Sequence, residues 1–380
     1  MRILHIYKDY YPVLGGIENH VRVLAEAGVA RGHHVSVLVT SLDRHTQHDE
    51  LNGVKLIKTA RWINISSAPI SPAMFSAART LGRTADIIHL HFPYPLGEMA
   101  RLLSGAPART IITYHSDIVR QKMLRTVYQP LLWRILGKAD RIIATSGRYI
   151  ETSPYLSQFK DKCSVVPLGT DAAQFAQVQP QAVADLRASL LAHNATSPTP
   201  PQFILLSVGR LRYYKGLDDL IRALPQIPNA KYVIVGTGPM YAEWQQLARS
   251  VGVAQRVFFA GEVSDVELPT YYAACDLFVL PANARAEAFG TVIVEALAAG
   301  KPVISTEVGT GTSWVNVQGQ TGLVVPPHDP SALAAAIKQL LGDERLRLQM
   351  GRAAQARANA EFTVERMIDR VYAEYERLLR

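Results

Sequence analysis

Two carboxylates in the run RAEAFGTVIVEALAAGKPVIST, Glu287 and Glu295, enclose seven residues. Glu287 falls in a loop after a strand, and Glu295 lies inside the helix that follows. Between them, Phe289, Gly290 and Thr291 bring backbone N–H groups to that helix's N-terminus, where unpaired donors and the helix dipole favour an anion. A carboxylate beside such donors accepts from sugar hydroxyls, and the free amides hold phosphate. Glu295 stands between Val294 and Ala296 on an otherwise apolar helix, so it needs a partner, either a ribose diol or a core arginine. Upstream, SVGRLRYYKG places Arg210 and Lys215 between a strand and a helix. Two cations there suit a diphosphate, although ordinary surface cations occur in the same setting. The glycines of Gly236–Pro239, GTGP, allow close backbone approach to a ligand. In the first half, YYPVLGGIENHV carries Gly15 and Gly16 before a helix, and ITYHSD carries His115 at a strand end.

These groups are positioned by a repeated strand–helix alternation. Strands are expected at Ile3–Tyr7, Val35–Val39, Ile87–Leu90, Thr110–Tyr114, Arg141–Thr145 and Ser164–Pro167, with a helix after Gly16. The polar, proline-rich segment Asn194–Gln202 breaks the pattern and reads as a linker. The alternation then restarts. Strands are expected at Phe203–Val208, Tyr232–Val235, Val257–Ala260, Leu277–Leu280, Pro302–Ser305 and Leu323–Val325. Helices are expected at Gly216–Leu224, Met240–Val251, Val266–Ala274 and Thr291–Ala299. Two consecutive α/β units with parallel sheets follow, residues 1–195 and 196–360. The tail, 361–380, is a helix that packs on its own domain or crosses back to the first. Ligands in such folds sit beyond the carboxyl ends of the strands, and two facing domains make the cleft between them the natural site.

Composition narrows the class. The 380 residues are 48% apolar and 19% charged, which excludes a disordered chain and a coiled coil. No apolar run approaches the length of a membrane span, and the N-terminus lacks a signal peptide's pattern. Cys163 and Cys275 are too few and too far apart for a disulfide framework or a metal cluster. The expected location is the cytoplasm. The net charge of +8 is confined to residues 1–190, which hold 22 basic and 14 acidic side chains; the remainder holds 18 of each. A basic half suits an anionic partner or is simply a solvated surface.

Taken together, these motifs resemble the GT-B glycosyltransferases, specifically the retaining enzymes of glycosyltransferase family 4. The E-x7-E element is Glu287 to Glu295, the phosphate pair is Arg210 and Lys215, and the glycine loop is Gly15–Gly16. GLVVPPHDPSAL, near residues 322–333, matches the family's closing segment. The resemblance covers nearly the whole chain and implies two Rossmann-like domains facing each other across a cleft. It implies that Arg210 and Lys215 neutralise the donor diphosphate and that Glu295 holds the ribose. Glu287 contacts the transferred sugar beside the amides of Phe289, Gly290 and Thr291. Gly16 lets the first domain's loop approach the donor, the loop Gly261–Glu262–Val263 is where the base is read, and His115 matches a position near the reacting centre. No D-x-D sequence occurs, so no metal ligands and no cofactor are expected; the two cations stabilise the leaving diphosphate. The resemblance implies retention of configuration through an oxocarbenium-like transition state.

The first domain is expected to hold the acceptor. Residues 118–141 mix apolar side chains with Arg120, Lys122, Arg125, Arg134, Lys138 and Arg141. This is either a basic helix lying on an anionic membrane or a core helix with a wet basic face. Expected partners are a nucleotide-sugar donor, a glycan or lipid-linked acceptor and an anionic membrane surface, with peripheral attachment at the inner face of the cell membrane. The segment Glu307–Asn316, EVGTGTSWVN, resembles mannosyl- and rhamnosyltransferases of surface polysaccharides, which favours a GDP-sugar over a UDP-sugar. The alternatives are a catalytically inactive sugar-nucleotide-binding protein and another GT-B enzyme, such as an epimerase or a phosphorylase. An oxidoreductase lacks its glycine fingerprint, and no nucleic-acid-binding motif is present.

Overall fold

A strand buried on both faces of a sheet reads as a near-continuous apolar run, and the central runs follow this apart from His89, His91 and Lys231. Every residue of Ile87–Phe92 and of Ala230–Val235 is buried. The computed structural model describes residues 1–13, 15–65, 68–117, 122–193 and 200–380, without the side chains of 65 and 122–127. The linker at 194–199 and the start of the basic run at 118–121 therefore lie outside the described residues, as do the side chains of Lys122 and Arg125.

Two units result. The first comprises Met1–Val166 and Met367–Arg380, the second Pro167–Arg366. The division at Val166 differs from the expected boundary at 195. Its cause is that the helices Ala172–Ala176 and Pro180–Ala192 bury Ala172, Phe175 and Leu190 in the core of the second sheet. Proline content marks a loop there, not the edge of a core.

The first sheet runs Cys163–Val165, Arg141–Ala144, Arg109–Tyr114, Ile87–Phe92, Arg2–Ile6, His34–Thr40, Val54–Thr59, Gln47–Leu51. All neighbours are parallel except the last pair. That pair is a hairpin absent from the sequence-based expectation. Asn52 and Gly53, at φ 51° and 77°, form its two-residue turn. The helix Val364–Leu379 buries Met367, Ile368, Val371, Tyr372 and Tyr375 at helical spacing. Tyr372 donates from its hydroxyl to Leu24 O at 3.0 Å, and Glu374 lies 3.3 Å from Arg141. The end of the chain thus completes the first unit.

The second sheet is wholly parallel, in the order Val257–Gly261, Ala230–Val235, Phe203–Val208, Leu277–Leu280, Val303–Thr306, Gly322–Val325. Apolar clusters cover both of its faces. Chain order reverses between Phe203–Val208 and Leu277–Leu280, the topological switch point at which doubly wound sheets bind ligands.

Candidate active site

The loops leaving those two switch-point strands hold Arg210, Lys215, Glu287, Phe289 and Gly290. Gly216, at φ 63°, ends the turn after Phe203–Val208, and a Cβ on it would fall 2.0 Å from Pro281 O. Only glycine permits this approach without strain. The Asn283 amide donates to Tyr214 O at 3.0 Å, locking the two loops together. Close packing of the loops brings Lys215 Nζ to 2.8 Å from Glu287 Oε2, with about a tenth of each side chain exposed (10% and 11%). Burial alone lowers a lysine's pKa; here Glu287, and more weakly Tyr214 and Glu295, outweigh it and raise the Lys215 value. Lys215 is therefore a buried, charged ammonium.

Glu295 finds the partner its surroundings demand. Tyr272, on the helix Leu268–Ala274, donates its hydroxyl to Glu295 Oε2 at 2.6 Å. Burial pushes the Glu295 carboxyl up from its ordinary value, and the Tyr272 bond and the Lys215 charge hold it back. Lys215 and Glu295 are thus coupled electrostatically, and the structure gathers Lys215, Glu287, Glu295 and Tyr272 at one end of the sheet. Arg210 is exposed and bonds to no described residue. Phe289 is buried, and the helix Thr291–Ala298 begins just after Gly290. The amides of Phe289, Gly290 and Thr291 donate to no acceptor among the described residues. Open N–H groups at a helix N-terminus are the setting in which anions are favoured.

The loop holding Glu287 is braced from one side. Thr310 donates to Glu287 O at 2.6 Å, the Gly311 amide to Ala288 O at 2.8 Å, and Arg285 to Gly309 O at 2.6 Å. The EVGTGTSWVN segment therefore acts as the support of the carboxylate loop. Another brace joins the strand-end loops: a Cβ on Gly236 would lie 2.2 Å from Gly209 O. The Gly236 amide donates to Gly261 O at 2.7 Å. Glu262 is exposed, and Val263 packs its side chain against the core.

In the first unit, Gly15 precedes the helix Gly16–Ala30, and Glu18 folds over it, so that a Cβ on Gly15 would meet Glu18 Oε2 at 2.1 Å. A Cβ on Gly16 would meet nothing within 4 Å. His115 is buried, with its Nε2 3.3 Å from His91 Nδ1. His5, His20, His89 and His91 are buried in the same region, and none of them was singled out from sequence. The signal for two of them was there: His89 and His91 alternate along a strand, which puts both on one face. A cavity of about 250 Å³ lies at the carboxyl ends of Arg2–Ile6, His34–Thr40 and Val54–Thr59, lined by Asp9, Tyr11, Thr40, Asp43, Gln47 and Lys58 among others. In the basic helix Lys122–Lys138, Leu132, Ile135 and Leu136 are buried. Trp133 packs on Tyr155, ring centroids 5.5 Å apart, while Arg134 and Lys138 are exposed.

Among the described residues no helix is long and apolar enough to cross a membrane. The family model Glycosyltransferase Family 4 matches residues 14–174, and Glycosyl transferases group 1 matches residues 192–357. The chain is 37% identical to D-rhamnosyltransferase WbpZ of Pseudomonas aeruginosa, across 96% of this chain and 92% of that protein. It is 36% identical to the O-antigen chain mannosyltransferase C of Escherichia coli, across 100% and 99%. Among solved structures, the sucrose-phosphate synthase of Thermosynechococcus elongatus superposes with a TM-score of 0.77 at 26% identity, covering 99% of this chain and 98% of that one. Anabaena HepE in complex with UDP gives 0.79 at 22%, covering 99% and 100%. Two family models that divide the chain between them, and relatives matched over nearly their full lengths, establish that the chain is a glycosyltransferase of family 4 with the GT-B fold of two Rossmann-like halves.

Proposed function

We propose that the protein transfers mannose or a mannose-related deoxyhexose from a GDP-sugar to a hydroxyl of a growing surface polysaccharide, with retention and without a metal. The observation that carries this reading is the buried Lys215–Glu287 pair at the switch point, beside the unengaged amides of Phe289, Gly290 and Thr291. The amides and Lys215 receive the diphosphate, Arg210 closes over it from solvent, and Glu287, exchanging its lysine partner for substrate, accepts from a sugar hydroxyl. Glu295, oriented by Tyr272, accepts from the ribose. Charge that develops on the leaving diphosphate is met by groups already in place, the form of electrostatic catalysis that needs no reorganisation. Support for the sugar comes from relatives whose names specify rhamnosyl and mannosyl transfer. Support for the base comes from a GDP-mannose-dependent mannosyltransferase of Mycolicibacterium smegmatis, 30% identical across 92% of this chain.

In the first unit, the cavity beside Tyr11 offers the acceptor an exposed ring and the polar groups Asp9, Asp43, Gln47 and Lys58. His115 takes its place at the reacting centre. A lipid-linked acceptor and attachment to an anionic membrane surface rest on the basic charge of residues 1–190 and on exposed Arg134 and Lys138. Co-sedimentation with anionic vesicles at low salt tests that part. Thermal unfolding with GDP, UDP, ADP and dTDP tests the donor site, because a nucleotide that binds only the folded state raises the midpoint. A shift with GDP that Glu295→Ala abolishes is expected, together with product formed from GDP-mannose. A larger shift with UDP would reassign the donor, and nucleotide binding without any transfer would point to a sugar-nucleotide-binding protein.

A further inference from the structure

Five buried histidines share one face of the first sheet and the helices that cover it. His5 pairs in register with His89 on the neighbouring strand, and His91 with Thr113 on the next. His5 Nδ1 lies 3.0 Å from His91 Nε2, and His91 Nδ1 lies 3.3 Å from His115 Nε2. The ring centroids are 5.3 and 5.6 Å apart and the ring planes 24° and 21° from parallel. In both pairs the centroids are about two ring radii farther apart than the nitrogens, the edge-to-edge arrangement of an in-plane N–H···N hydrogen bond. Two triads, His5–His89–His91 and His20–His91–His115, bring ring nitrogens within 4.8 Å of one another. A tetrahedral metal would need lone pairs converging on one point. Here the His91 and His115 nitrogens aim at each other, and His89 is already bonded at both nitrogens, to Tyr375 at 2.6 Å and Thr113 at 2.7 Å.

The row has two ends. His5 Nε2 is buried and has no partner among the described residues. His115 Nδ1 bonds to no described residue. Each neutral imidazole has one donor and one acceptor, so the proton at one end fixes the proton at the other. If the row pointed from His115 to His5, it would strand an N–H at His5 Nε2, and an orphaned buried N–H is the rarer and costlier defect. The opposite direction leaves only a lone pair there. Around the row stand His20, edge-on to His91 and His115 at 5.6 and 5.1 Å, and Tyr7, edge-on to His91 at 6.2 Å. His89 is stacked on His91 at 4.3 Å. Burial first, and then in most cases the neighbouring rings, lowers the pKa of each of the five histidines.

We infer that His5 and His91 are positioning residues that hold His115 neutral in its Nδ1–H tautomer, so that His115 offers a substrate oxygen a hydrogen-bond donor and not a base. The use made of this donor rests on the proposed function; the tautomer does not. The test is a long-range ¹H–¹⁵N correlation spectrum of the full chain, histidine-labelled, at pH 7.5 without substrate. His5, His91 and His115 are expected to carry protonated Nδ1 and unprotonated Nε2. His91→Phe should release His115 from this form. His5→Asn, which keeps an N–H donor near the δ position, should leave His115 unchanged. A His115 imidazolium, a His115 Nε2–H in the unmodified chain, or a His115 signal indifferent to His91→Phe in a folded variant would each overturn the inference. So would zinc binding that moved the His20, His91 and His115 nitrogens together. Because no substrate is present, a wrong donor or acceptor assignment would leave the spectrum as expected.

Discussion

Lys215→Met removes one member of the buried pair while nearly preserving its stem. The Glu287 carboxylate is left about nine-tenths buried, without the counter-charge that stood 2.8 Å away. Breaking a buried pair from one side costs about 3–5 kcal/mol, and the residual exposure of both side chains argues for the lower end, about 3 kcal/mol. In a domain of this size each kcal/mol moves the midpoint by about 2–4 °C, so the second unit should melt roughly 6–12 °C earlier. Adding Glu287→Gln to Lys215→Met removes the stranded charge and should restore most of the loss. The folded-state lysine pKa is raised, so the pair's contribution is intact below the unfolded lysine value, about 10.4, and is lost as pH rises through the folded value. The difference between variants should therefore be constant from pH 6 to 9. Being buried, it should survive 0.5 M salt, which screens exposed pairs. Scanning calorimetry of the four chains of the cycle decides the matter. A loss under about 1 kcal/mol in Lys215→Met, or strict additivity in the double variant, would refute the buried pair as the organising charge of this site.

Acid should act on the first unit. Its five buried histidines have lowered pKa values, His5 about 3 and His20 about 4, so the unfolded chain binds more protons below about pH 6.5. His5 and His20 then cost about 2 kcal/mol each at pH 5, and His89, His91 and His115, lowered by burial, act in the same direction. Glu98, pushed up to about 7 by burial, opposes this by about 2 kcal/mol as it takes up a proton. Near-UV dichroism should show loss of native packing between pH 6 and 5, and persistence at pH 4 would contradict the neutral-histidine core. Gly216→Ala forces a Cβ against Pro281 O at φ 63° and should cost at least about 1–2 kcal/mol, with weaker nucleotide binding measured by calorimetry. Tyr375→Phe removes the partner of His89 Nδ1 and should lower stability by about 1–2 kcal/mol in urea unfolding.

The strand ends were legible because parallel strands are mostly apolar runs and glycine punctuates several of their exits. The helix at Thr291–Ala298 and the strand at Phe203–Val208 fall within a residue of their expected bounds. Asn52-Gly53 carried a hairpin signal that the weak alternation of Gln47–Leu51 obscured. What could not be read is long-range. Tyr272 reaches Glu295 from a separate helix, and Lys215 meets Glu287 only because Gly216 lets two loops touch. The His5–His91–His115 row exists only once the strand order is known. The division at Val166 departs from the composition reading, because a proline cluster marks exposure while Phe175 and Leu190 decide which core owns the preceding helices.

The last helix closes the first unit, with Tyr372 on Leu24, Tyr375 on His89 and Asp369 on Arg31. During synthesis the first 166 residues therefore leave the ribosome without the element that caps their histidine face. At about 5–20 residues per second, the 200 residues of the second unit take roughly 10–40 s to follow. For that interval Leu24, Arg31 and His89 lack their partners, and the nascent half is a natural client for a chaperone. Emergence of this helix, not completion of residues 1–166, is the event that lets the first unit become native.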